Sequence, residues 1–254
     1  MGPPNPARPA PMVSVVMPAH NEAALLPSTL TELSAALHTR DLAFEIIVVE
    51  NGSNDATLAC ARDAGAADPS IRAVSRPVAD YGAAMRAGIL DAEGGVVVVF
   101  DVDYYDAAFV DRVLPLLTVA DGPAIVVGSK RAPGAVDRRP WYRRSITAGF
   151  SFVLRTAFGL PVSDTHGMKG LRRVPLEPIA DACRFGTDLF DTELVLRAHR
   201  AGLAVAEVPV TVQERRPSRT PIARRVGRTV VGLVRLWFVL RRDTSPRSAG
   251  VSTP

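Results

Sequence analysis

Asp101 and Asp103 flank a single residue at the end of the apolar run Val96-Val97-Val98-Val99-Phe100. If the backbone stays extended there, both carboxylates leave on one face and converge on a small volume. Two like charges so close repel, and a divalent cation completed by phosphate oxygens relieves the repulsion. The plainer alternative is that Asp101 caps the following helix and Asp103 is solvated. Two other apolar runs also end in polar clusters, Pro18-Ala19-His20-Asn21-Glu22 and Glu50-Asn51-Gly52-Ser53-Asn54-Asp55. Further along, Phe190-Asp191-Thr192-Glu193-Leu194 opens an amphipathic stretch with two carboxylates.

The runs that precede these clusters read as strands: residues 13–17, 44–50, 71–75, 96–100 and 124–128. They alternate with helical patterns over 22–38, 55–65, 81–93 and 107–119, which predicts βα units around a mostly parallel sheet sandwiched by helices. In such sheets, ligands bind beyond the carboxyl ends of the strands, where the polar clusters fall. No GxGxxG and no Walker A lysine is present, so the common dinucleotide and ATP sites are excluded.

The chain has 254 residues, 47% of them hydrophobic, enough for one large core. Its two cysteines, Cys60 and Cys183, form no metal-binding knuckle and point to a reducing compartment, so any metal needs oxygen ligands. The net charge of +4 hides an asymmetry: from Arg215 onward there are ten arginines against one acid, Asp243, which is +9 and leaves −5 to residues 1–214. A basic block of this kind favours an anionic partner. Within it, Val226, Val230, Leu233, Val234, Trp237 and Leu240 fall on one face of a helix, with Arg224, Arg228, Arg235 and Arg242 on the other. This C-terminal amphipathic helix is too short and charged to span a bilayer, and suits either the headgroup plane of an anionic membrane or a core position; the arginine excess favours the membrane. The expected organisation is a proline-rich tail (1–11), a catalytic domain (12–214), a basic membrane-associating segment (215–242) and a second tail (243–254).

Taken together, VSVVMPAHNEAALLPSTL, FEIIVVENGSNDAT, YGAAMRAGI and VVVVFDVD resemble the nucleotide-sugar half of the family 2 glycosyltransferases. GSKRAPG, GLPVSDTHGMKGLRR, FDTELVLRAHRAGLAVAEVPV and ERRPSRT are similar to the branch that makes dolichyl- or polyprenyl-phosphate hexoses. The resemblance implies a GT-A type fold and a DxD that holds Mg²⁺ or Mn²⁺ on the donor diphosphate. Pro18, Ala19 and Glu22 would contact the nucleoside, Glu50 or Asn51 would read the base, and Asp101 and Asp103 would serve the metal and the ribose or diphosphate. Asp106 or His166 could add a third metal ligand, since Tyr105 stands where some relatives carry a polar ligand. Glu50-Asn51 stand where the family usually has Asp-Asp.

Asp191 aligns with the general-base aspartate of relatives that glycosylate hydroxyl groups. In the polyprenyl-phosphate branch, the positions of Lys130, Lys169, Ser218 and Arg219 lie near phosphate. The implied activity is inverting hexose transfer from a nucleotide-diphosphate sugar to a polyprenyl phosphate, by an enzyme peripheral on the cytoplasmic face of an anionic membrane. The alternative is a soluble or lipid hydroxyl acceptor with Asp191 as base. A non-enzymatic membrane or nucleic-acid binder is more remote, because no recognised nucleic-acid motif is present and such a binder leaves the strand-end carboxylates unexplained.

Overall fold

The computed structural model describes residues 12–160, 162–186, 189–212 and 222–243. The chain divides into two compact units, residues 1–217 and 218–254. In the first unit, seven strands run in the order β3-β2-β1-β4-β7-β5-β8. They are β1 (Val13–Ala19), β2 (Phe44–Asn51), β3 (Ile71–Arg76), β4 (Val96–Val99), β5 (Ile125–Ser129), β7 (Lys169–Arg172) and β8 (Val205–Pro209), while β6 (Val136–Asp137) pairs separately with β9 (Thr211–Val212). All pairings in the large sheet are parallel except those of β7, which lies antiparallel between β4 and β5. The first unit carries helices α1 (Leu26–His38), α2 (Thr57–Ala67), α3 (Tyr81–Asp91), α4 (Ala107–Thr118), α5 (Trp141–Phe158), α6 (Arg173–Ala182) and α7 (Phe190–Arg200).

The expected α/β architecture is present, and its central strands explain it. Every residue of β1, β2 and β4 is buried, as strands covered on both faces require. Helix α1 buries Leu26, Leu30, Leu33 and Leu37, one stripe at helical spacing. Strands β2 and β4 flank β1, and the chain winds outward on either side, so the crevice of the topological switch lies beyond the ends of β1 and β4. The opposite end is tied by a polar cluster: Glu45 accepts from Ser14 Oγ, the Glu93 N–H and Arg72 Nε, and Arg72 also pairs with Asp91.

Three sequence expectations need correction. Strand β4 ends at Val99, and Asp101 and Tyr104 exchange backbone hydrogen bonds of 3.2 and 3.1 Å around Val102-Asp103. Asp103 therefore sits at the corner of a tight turn, not on an extended strand. The cap of α4 is Asp106, whose carboxylate accepts from Ala108 N, so the capping role offered for Asp101 is taken elsewhere. Strand β7 was not legible as a strand, because Lys-Gly-Leu-Arg lacks both the apolar run and the alternation that mark one.

The second unit contains α8 (Ile222–Asp243). Its apolar side divides: Leu233, Leu236 and Leu240 are buried, whereas Val230, Val231, Val234 and Phe238 are about half exposed. Arg241 stacks 3.6 Å above the Trp237 ring. No helix among the described residues is long and apolar enough to cross a membrane.

Helix α3 is seated on the sheet through Gly88, where a Cβ would lie 2.3 Å from Val16 Cγ1 and 3.0 Å from Val49 Cγ2. Both are β-branched side chains packed in buried strands, so neither can give way cheaply. Gly88→Ala should therefore lower stability by about 1–3 kcal/mol despite the better helix propensity of alanine. At roughly 2–4 °C per kcal/mol, a melting temperature unchanged or raised in a thermal scan would show that this contact is looser than described.

Candidate active site

The crevice at the β1/β4 switch is built from four segments. The β4 turn contributes Asp101 and Asp103, the start of α3 contributes Tyr81, the start of β7 contributes Lys169, and the start of α7 contributes Asp191. Strand β7 runs against its neighbours, so its first residue, not its last, reaches the ligand end of the sheet. The close approach of α3 to the α7 region depends on glycine: a Cβ on Gly82 would lie 2.7 Å from Phe190 Cβ and 2.8 Å from Gly186 Cα.

Tyr81 donates to Asp101 Oδ1 at 2.8 Å. Withdrawal from water pushes the Asp101 pKa up, the neighbouring charges of Asp191 and Asp103 push in the same direction, and the Tyr81 hydrogen bond and Lys169 oppose them. The Tyr81 phenol is driven well above its ordinary value by burial and by the same carboxylates. Three aspartates and one lysine thus share one electrostatic volume, and the two sequence motifs DVD and FDTEL meet there.

Lys169 and Asp191 are both buried, and Nζ lies 2.7 Å from Asp191 Oδ1. The contact is an ion pair, while the hydrogen bond of the ammonium goes to Gly167 O at 2.8 Å. The lysine expected beside an acceptor phosphate is therefore committed to the aspartate expected as a base, and Asp191 is not a free carboxylate. Glu193 is wholly structural: Oε2 accepts from the Arg184 and Phe185 N–H groups at 2.8 Å each, and Oε1 from Arg197 Nε at 2.8 Å.

The remaining expected residues divide by what they touch. Pro18 and Ala19 end β1, and Glu22 is buried next to it, with its N–H donating to Thr57 Oγ1 at 2.8 Å. Glu50 accepts from Ser53 N at 2.5 Å and Ser75 Oγ at 2.7 Å. Burial raises its pKa, but these hydrogen bonds outweigh burial and hold it below the usual carboxylate range. Asn51 Oδ1 accepts from Asp80 N at 2.8 Å, bracing the start of α3. Of the candidate third metal ligands, Asp106 has one oxygen on Ala108 N and the other on Arg112 Nη2 at 2.7 Å. His166 packs edge-on against Phe150, and its Nδ1 lies 3.2 Å from Thr165 Oγ1. Tyr105 hydrogen-bonds to Glu32 on α1. No group of three His, Cys, Asp or Glu among the described residues could hold a metal. Ser218 and Arg219 lie outside the described residues.

A second polar cluster borders the site; of its members the sequence singles out Lys130, but not Asp164 or Tyr104. Asp164 is buried; its Oδ2 takes no hydrogen bond and faces Lys130 Nζ at 3.6 Å. The Tyr104 hydroxyl is also buried without a partner, and burial together with the charge of Asp164 pushes its pKa up. Glu207 on β8 anchors this loop by accepting from Ser163 N at 2.7 Å and Asp164 N at 3.1 Å.

Comparison with known proteins agrees with the geometry. Residues 14–179, from β1 into α6, match the family described as Glycosyl transferase family 2. The undecaprenyl-phosphate mannosyltransferase of Micrococcus luteus is 31% identical over 239 residues, covering 91% of this chain and 95% of that one. The polyprenol monophosphomannose synthase of Mycolicibacterium smegmatis is 31% identical over 215 residues, covering 82% and 80%. Among solved structures, glucosyl-3-phosphoglycerate synthase of Mycobacterium tuberculosis with uridine diphosphate superposes with a TM-score of 0.64, covering 90% of this chain and 79% of that one at 24% identity, a likeness of fold. The chain belongs to glycosyltransferase family 2, with the GT-A-like fold expected, and is a glycosyltransferase.

The Lys169–Asp191 pair generates a stability prediction. Removing one partner leaves an uncompensated buried charge, so Lys169→Met should cost about 3–5 kcal/mol in denaturant unfolding. Lys169→Met combined with Asp191→Leu should recover most of that loss, because an apolar pair of similar volume carries no desolvation penalty. A double variant as unstable as the single one would mean that the cost comes from packing, not from charge.

Proposed function

We infer that the chain is an inverting, metal-dependent hexosyltransferase that moves a hexose from a nucleotide-diphosphate sugar to a polyprenyl phosphate. The observation that carries this reading is the pairing of Asp191 with Lys169 at 2.7 Å beside Asp101. A hydroxyl acceptor needs a base to take its proton, whereas a phosphate monoester is already ionised at neutral pH and needs only placement in line with the anomeric carbon. A site whose best-placed carboxylate is neutralised by an ammonium suits the second kind of acceptor. The M. luteus and M. smegmatis relatives carry polyprenyl-phosphate and polyprenol names, in the same direction.

In this reading Pro18, Ala19 and Glu22 line the nucleoside, and Glu50 shapes the base pocket through the Ser53 turn with Asn51 beside it. Asp101 and Asp103 fit Mg²⁺ or Mn²⁺: they are hard oxygen donors in a net negative site, with too few protein ligands to complete a shell without phosphate oxygens. When bound, the cation neutralises the leaving diphosphate. Tyr81 holds one Asp101 oxygen and so fixes the direction of the other. Lys130 receives the acceptor phosphate, and Lys169 acts on it only through Asp191; Ser218 and Arg219 carry the phosphate role that the family resemblance implies for them. The basic segment 215–242 then holds the enzyme at the cytoplasmic face of an anionic membrane, flanked by the tails 1–11 and 243–254.

Asp103→Ala should abolish transfer while leaving the unfolding transition intact, because the half-buried carboxylate sits on a turn and not in the core. A nucleotide diphosphate at 100 times its dissociation constant stabilises the folded state by about 2.7 kcal/mol. The Mn²⁺-dependent part of that thermal shift should vanish in the variant, and a full shift would remove Asp103 from the metal role.

The acceptor is tested by radiolabelled hexose transfer into organic-extractable product. Asp191→Asn removes the partner of a buried ammonium, so its rate is taken per folded molecule, with the folded fraction read from its unfolding curve; on that basis it should stay within roughly tenfold of the wild-type rate, whereas loss of a true general base costs about 10²- to 10⁴-fold. Arg219→Glu should weaken use of the lipid phosphate by removing a charge-assisted contact. Collapse of the Asp191 variant with an indifferent Arg219 variant would favour a hydroxyl acceptor.

A further inference from the structure

Helix α5 turns an unusual surface to solvent. At 100° per residue, Trp141, Phe152, Ser145, Thr156, Gly149, Tyr142, Val153, Ile146 and Ala157 fill one continuous arc, and that arc contains no charged residue. All nine are exposed, Trp141 at 75% and Phe152 at 67%, with Tyr142, Ile146 and Val153 near 40%. The opposite side is the packed one, with Ser151 and Leu154 buried. A helix of a globular enzyme ordinarily carries its charges on the outer side, and five large apolar groups clustered there mark a contact surface.

Charge says what the contact is. Between residues 138 and 163 there are five arginines (Arg138, Arg139, Arg143, Arg144 and Arg155) and no acidic residue. Arg144 and Arg155 are exposed and border the apolar arc along one edge. An apolar face with an indole and a phenol at its N-terminal end, edged by arginines, has the chemistry of the headgroup boundary of an anionic bilayer. A second protein surface would give such a helix no reason to exclude acids along 26 residues.

The inner side of α5 rests on the loop that carries the polar cluster at the site. Ser151 Oγ donates to Ser163 O, the Phe150 ring lies 5.3 Å from His166, and Lys130 Nζ reaches His166 O at 3.4 Å. We propose that the outer face of α5 docks on the surface of an anionic phospholipid bilayer and so brings the loop 163–169 and Lys130 to the level of lipid phosphates. The use made of this contact rests on the polyprenyl-phosphate acceptor; the contact itself does not. It is distinct from α8, because it lies in the catalytic unit.

The test uses the full chain and vesicles of phosphatidylcholine with 30% phosphatidylglycerol. In a Trp237→Phe background, Trp141 is the only indole, since the chain has two tryptophans. Its emission should shift to the blue on these vesicles and be quenched by lipids brominated near the headgroup. Ile146→Glu with Val153→Glu should weaken co-sedimentation at least tenfold while leaving transfer to a short, water-soluble isoprenyl phosphate within twofold of wild type. Unquenched Trp141, or unchanged co-sedimentation of the double variant, would overturn the proposal. So would a wild-type dimer that the double variant dissociates without loss of vesicle binding, which would make the face a contact between copies. If vesicle binding depends on α5 but no lipid phosphate is glycosylated, the docking surface stands and the acceptor reading falls.

Discussion

A lysine ammonium and an aspartate carboxylate, both withdrawn from water, compensate each other's charge in this fold. Lys169 begins the one antiparallel strand of the sheet, and Asp191 lies in the first turn of α7, so their contact fixes a helix to a strand at the site itself. Separating them would strand a charge in a low-dielectric region at a cost of several kcal/mol. The start of α7 is held further by the bond between Thr192 and Thr165, and the loop before it by Glu193. Asp101 feels both members of the pair, so the electrostatics of the DVD turn are set from the other half of the molecule.

The donor half was legible in the sequence and the other half was not, for a physical reason. Strands β1, β2 and β4 are buried on both faces, and burial of that kind writes itself as runs dominated by Val and Ile. The caps and turns that follow them use Asp, Asn and Gly, which sequence reasoning recognises by type. In the second half the same job is done by side chains that meet across long separations. Glu207 reaches back to Ser163 and Asp164, Lys169 to Asp191, and neither pairing leaves a local pattern.

The errors within the legible half are also instructive. Asp101 and Asp103 were placed together correctly, but by the wrong geometry, because a tight turn closed by two backbone bonds replaces the extended strand. Tyr81 was read only as the start of a helix, although its position directly after the Asp80 cap aims the phenol at Asp101. Asp106 was eligible as a ligand by residue type, and both of its oxygens already have partners. Residue type identifies candidates, and the hydrogen bonds already made decide which remain free.

The reversed direction of β7 has a consequence for how such an enzyme can diversify. In a parallel sheet, each ligand-facing loop follows its strand and leads into the next helix, so changing the loop shifts a crossover. Here the segment from β5 through α5 to β7 leaves the sheet and returns to it at the same end, and both of its anchors, Ser129 and Lys169, are already seated in neighbouring strands. That segment can lengthen, shorten or change its surface without moving the strands that hold the donor. Selection can therefore retune what receives the sugar while leaving untouched what delivers it.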